Sequence, residues 1–106
     1  MSAPEPKESA VSLFVAKHQH TPETCPAKNP EMGAMLLEHL SDENAAKAGI
    51  TIHGEAVIEG QHTLYMIADA PDRAALEGFM APFASAGTLE VLEANPCATV
   101  VGRAGC

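Results

Sequence analysis

The chain has 106 residues, 46% of them hydrophobic and 19% charged, which places it at the size of a single packed domain and far from the composition of disorder. Fourteen acidic against six basic side chains give a formal charge of -8, a field that repels phosphate backbones and anionic headgroups and makes nucleic acid and membrane surfaces poor partners. Apolar runs are strand-sized, and Met1 to Ala10 lacks the apolar stretch of a secretory signal, so the expected compartment is the cytoplasm.

Residues 1–9 read as a frayed tail, and 10–106 as one domain. From Ala10 to about His18, Val11, Leu13 and Val15 alternate with Ser12, Phe14 and Ala16, the period-two pattern of a central strand covered on both faces. The stretch His20 to Pro30 holds three prolines and predicts a long loop, a kind of segment that often carries function in small domains. Asn29 as N-cap and Pro30 at the first helical position start a helix in which Met32, Met35, Leu36, His39 and Leu40 form a stripe toward the sheet. Ser41 caps a short turn to Lys47, and Gly49 supplies a left-handed stop.

Ile50 to Ile58 and Gln61 to Ala68 are strand patterns separated by Glu59-Gly60, a tight hairpin signal. Pro71 opens a second helix with Leu76, Phe79, Met80 and Phe83 on one side, and Pro82 predicts a kink or tightened last turn before Gly87. Thr88 to Ala94 is the fourth strand. After Asn95-Pro96, Ala98 to Arg103 reads as a short fifth, edge strand. The order β, α, β, β, α, β predicts an α+β, ferredoxin-like domain: a four-stranded antiparallel sheet with two helices on one face, and strands one and three adjacent and parallel at its centre.

Imidazole and thiolate are the side chains best suited to transition metals, so the histidines and cysteines are the informative residues. Cys25, Cys97 and Cys106 are an odd number and too few for a disulfide framework, which fits a reducing compartment or a metal or redox role. His18 and His20 lie two apart, so on a strand both rings point to one face about 7 Å apart. Cys25 follows in the Pro-rich loop. Placing the start of strand two at the end where strand one finishes brings His53 toward His18 and His20, and an antiparallel fifth strand returns Cys106 to the same rim. With a two-residue turn, Val57 pairs with His62 and His53 with Met66, leaving His53 and His62 roughly 13 Å apart. The expected cluster is therefore His18, His20, Cys25, His53 and Cys106, holding nickel, zinc, copper or iron, with a weaker second site at His62 and Cys97. Met32, Met35 and Met80 fit core spacing better than a copper-binding pattern.

The stretch from Ala48-Gly-Ile-Thr-Ile-His-Gly-Glu through Ala68-Asp-Ala-Pro-Asp-Arg-Ala-Ala-Leu-Glu, ending in Leu89-Glu-Val-Leu, resembles the small dimeric α/β-barrel proteins. Among these it is similar in outline to single-domain bacterial proteins, some of which resemble nickel-binding ferredoxin-like dimers with histidine ligands. The resemblance implies a homodimer joined sheet to sheet and a metal-binding or metal-handling role. The His20 to Pro30 insertion and the terminal Cys106 depart from those relatives. Related barrels also include cofactor-independent monooxygenases and muconolactone-type isomerases. They set the alternative of an enzyme acting on a small organic substrate, with His53, Glu55 or Tyr65 moving protons.

Overall fold

The structure is a computed structural model that describes residues 11–106; the tail expected over 1–9 lies outside the described residues. Strand β1 (Ser12–His20) leads through two 3-10 turns, Pro22–Thr24 and Pro26–Lys28, into helix α1 (Pro30–His39) and the short α2 (Asp42–Lys47). The hairpin β2 (Thr51–Ile58) and β3 (Thr63–Ala70) follows, then α3 (Arg73–Phe79), α4 (Ala81–Ala86), β4 (Gly87–Ala94) and α5 (Cys97–Gly102). The strands form one antiparallel sheet in the order β2-β3-β1-β4, the ferredoxin-like arrangement.

Local chemistry accounts for the boundaries. Asn29 Oδ1 accepts from the backbone N–H of Glu31 and Met32, Ser41 Oγ from that of Asn44, and Asp72 Oδ1 from that of Ala75. Each satisfies donors that the first helical turn cannot satisfy internally. Gly49 takes the left-handed conformation expected of it, with φ +77. Pro82 does more than kink its helix: it lacks the N–H that would bond back to Gly78, and the run breaks at Met80 into α3 and α4.

The period-two pattern sorts the sheet into two faces. Phe14, Ala16 and His18 of β1, Leu64, Met66 and Ala68 of β3 and Val91 of β4 are buried under the helices, where Ala45, Leu76, Phe79, Met80 and Phe83 meet them. The alternate residues Tyr65, Ile67 and Leu92 face the other way and are 39 to 48% exposed. Strand β1 is therefore central but covered on one face only.

Four further expectations change. First, β1 and β3 run antiparallel. A helical crossover leaves β2 parallel to β1, and the hairpin then reverses β3. The start of β2 consequently lies at the end where β1 begins. Second, Ile58 pairs with Thr63 and Val57 with Leu64, so the hairpin loop is Glu59 to His62 rather than a two-residue turn. A shift of two residues keeps every side chain on its face, and the hydrophobic pattern cannot tell the two registers apart. A bulge at His53 takes up the irregularity farther along. Third, residues from Cys97 form helix α5, whose Thr99 and Val100 N–H groups bond to Pro96 O. Pro96 ends the ladder, and the β-branched Thr99, Val100 and Val101 turn helical without a strand beside them. Fourth, Met32 and Met35 stand 51 and 69% exposed, and of the α1 stripe it is Leu36, Leu40 and the ring of His39, stacked on Phe79, that pack against the core.

Candidate metal centre

The end of β1 carries His18 on the helix-covered face, and a two-residue step brings His20 round to the same side, their ring centroids 5.2 Å apart. His18 is 2% exposed and lies edge-on against Phe83. Gly87 sits opposite His20 on β4, and a Cβ at that position would overlap the Gln19 carbonyl oxygen, so only glycine lets the two backbones pair this closely.

Hydrogen bonds set the protons on both rings. A carbonyl oxygen only accepts, so the 3.0 Å contact between His18 Nδ1 and Thr88 O places a proton on Nδ1. His18 Nε2 is then a lone pair, and it accepts from His20 Nδ1–H at 3.2 Å. That in turn leaves His20 Nε2 without a proton. This atom is shielded from solvent and has no hydrogen-bond partner. Burial pushes the His18 imidazole below the ordinary histidine range, against a weaker upward pull from the Thr88 carbonyl. Burial does the same to His20, with the neighbouring His18 and His62 adding to the effect. Both rings are therefore held neutral, the form that binds metal.

Two loops complete the cluster. The first 3-10 turn folds the chain back after β1, and Thr24 Oγ1 donates to Ala86 O at 3.3 Å, pinning the segment beside the end of α4. The next residue, Cys25, is half-buried. The hairpin loop delivers His62, whose φ of +51 is uncommon for a residue with a side chain. Its carbonyl accepts from the His20 N–H at 3.1 Å, and its ring lies edge-on to His20 at 5.3 Å. One ligand atom each from His20, Cys25 and His62 lies within 4.8 Å of the others. Donors around a tetrahedral zinc ion are about 3.3–3.6 Å apart, from bond lengths near 2.0 and 2.3 Å. Closing the group onto an ion thus takes a contraction of roughly 1 Å, within reach of small side-chain rotations.

The structure thus brings His20 and Cys25 together with His62, which the strand pattern alone places at the other end of the sheet. His18 stands behind His20 as its hydrogen-bond acceptor. His53 lies at the opposite end, where Nε2 meets Asp69 Oδ2 at 2.9 Å. That separation follows from β2 running parallel to β1. Cys97, which follows β4, also lies away from His62, because the β4 residue Ala94 pairs with Leu13 near the start of β1. Cys106 is exposed beyond α5, and with no fifth strand to return it, it stands outside the group. Glu55 pairs with Met66 and so shares the helix-bearing face, whereas Tyr65 is on the open one. What could have pointed to His62 is Gly60, two residues earlier with φ +80, which marks a loop able to reverse direction. No protein-family model, curated protein or solved structure matches this chain.

Proposed function

We propose that this protein binds and handles a borderline-soft transition metal through His20 Nε2, Cys25 Sγ and a ring nitrogen of His62. The observation that carries this reading is the shielded, unpartnered lone pair of His20 beside a thiol and a second imidazole. A buried acceptor without a partner costs about 1–3 kcal/mol, a debt that a bound cation removes. His18 supplies the outer hydrogen bond that metal-ligating histidines characteristically make, fixing the tautomer and orienting the ring. Two imidazoles and a thiolate suit zinc, copper, nickel or iron, and three protein donors leave a coordination position for exchange or for a substrate. The net charge of -8 favours the approach of cations. In this reading the protein works in the reducing cytoplasm, where Cys25 stays a free thiol. The open sheet face, with Tyr65, Ile67 and Leu92, pairs with that of a second copy, as in dimeric α/β-barrel proteins.

A second reading rests on the His53–Asp69 pair, which borders a cavity of about 520 Å³ at the far end of the sheet. Asp69 holds one ring nitrogen and leaves the other to act as a base on a small organic substrate.

The test is cobalt(II) titration of untagged, chelator-stripped protein, followed by visible absorption and elemental analysis. The wild type should take up one equivalent and show a thiolate-to-metal charge-transfer band. Cys25→Ser should lose the band, and His20→Ala or His62→Ala the stoichiometric binding. His53→Ala and Cys106→Ser should retain both. Unchanged binding in His20→Ala and His62→Ala would sink the proposal.

A further inference from the structure

The groove between α1 and α4 carries donors that the centre just described does not use. It encloses about 250 Å³ and is walled chiefly by Met32, Met35, Leu36, His39, Pro82 and Phe83. Met32, Met35 and His39 fall at i, i+3 and i+7, on one face of α1. Two other methionines, Met66 and Met80, are fully buried and fill the core, whereas Met32 and Met35 keep their thioethers in reach of solvent. His39 is fixed more firmly. Its ring stacks on Phe79 at 4.4 Å and Nε2–H donates to Phe79 O at 2.6 Å, so that in the neutral ring Nδ1 is the acceptor nitrogen.

Two thioethers and a neutral imidazole form a soft donor set with no charge. Soft sulfur ligands select copper(I). In an apolar groove an uncharged set leaves a dication unneutralised, so zinc(II) or nickel(II) gains less here than a monovalent ion. We propose that this groove is a second metal site, selective for copper(I) or an ion of equal softness, held by Met32, Met35 and His39 Nδ1. It shares a wall with the His–Cys centre, because His18 lines the groove and accepts the His20 proton, and Thr24 lines it next to Cys25. Exposure of the two thioethers suits a site that receives its ion from solution.

Silver(I) is a redox-inert probe of the same softness. The experiment uses the Cys25→Ser/Cys97→Ser/Cys106→Ser variant, which removes every competing thiol, with methionine methyl groups labelled for NMR in chloride-free buffer. One equivalent of silver should shift the Met32 and Met35 methyls and the His39 ring, leaving the buried Met66 and Met80 methyls in place as a readout of intact folding. Zinc(II) should leave all four methyls unmoved. Met32→Leu/Met35→Leu preserves the apolar wall and should weaken silver binding by more than the ~10–100-fold that loss of an outer-shell partner costs. The proposal is overturned if silver moves neither exposed methyl, if the leucine variant binds silver as tightly, or if zinc gives the same shifts. Cys25 is absent from this variant and the signals followed belong to Met32, Met35 and His39, so the outcome reports on this groove and not on the His–Cys centre.

Discussion

His18→Phe separates the work of His18 in the proposed metal centre from its work in the fold. Phenylalanine fills nearly the same space and keeps the edge contact with Phe83, but removes both ring nitrogens. What is lost is one part-buried hydrogen bond to Thr88 O, so the stability loss should stay near the ~0.5–1.5 kcal/mol of one net hydrogen bond. Part of that is returned because a polar ring no longer has to be buried. The metal site should lose more. Without the His18 acceptor, the His20 proton is free to move to Nε2, the atom needed by the ion, and the ring is free to turn. Outer-shell losses of this kind cost about 10–100-fold in metal affinity, or roughly 1.4–2.7 kcal/mol. Competition against a chromophoric chelator gives the affinity, and urea unfolding of the metal-free protein gives the stability. His18→Gln, which keeps an acceptor oxygen, should recover part of the affinity. A folded His18→Phe protein with wild-type metal affinity would refute the argument that His18 orients His20.

Gly87→Ala should destabilise the domain by at least ~2 kcal/mol in urea unfolding, because the new methyl meets the Gln19 carbonyl rather than a yielding side chain; an unchanged midpoint would show that the strands separate freely there. Acid should weaken the metal-free fold through His18 and His20, whose folded pKa values lie below the ordinary 6.5. The unfolded chain then binds protons at a higher pH than the folded one. Stability is full above about pH 6.5, falls as pH drops from there through the folded pKa values, and loses nothing more from these groups below them. Urea midpoints across this range should decline with acid, and more shallowly in His18→Phe; a midpoint that rises on acidification would contradict the burial argument.

Much of the fold is legible in local chemistry. The alternation through Phe14, Ala16 and His18, the caps at Asn29 and Ser41, and the left-handed Gly49 are each decided within a few residues by sterics and backbone hydrogen bonding. The pairing of His18 and His20 on one face is local too, since a two-residue step on a strand returns to the same side. Where a reading depends on what a segment meets, the sequence is silent. Thr99-Val-Val looks strand-like but forms a helix once Pro96 has ended the ladder, and the α1 methionines look like core residues but overhang a groove.

The amino-acid order by itself determined an α+β domain and the candidate ligands His20 and Cys25. Tertiary structure decided which other residue joins them. The crossover makes β2 parallel to β1 and sends His53 to the far end, and a four-residue loop, in a register that period-two patterning cannot distinguish, turns His62 back onto His20. The physical reason is range. Strand and helix periods are written in neighbouring residues, whereas the group of candidate ligands is assembled from loops whose ends are set by strands elsewhere in the sheet.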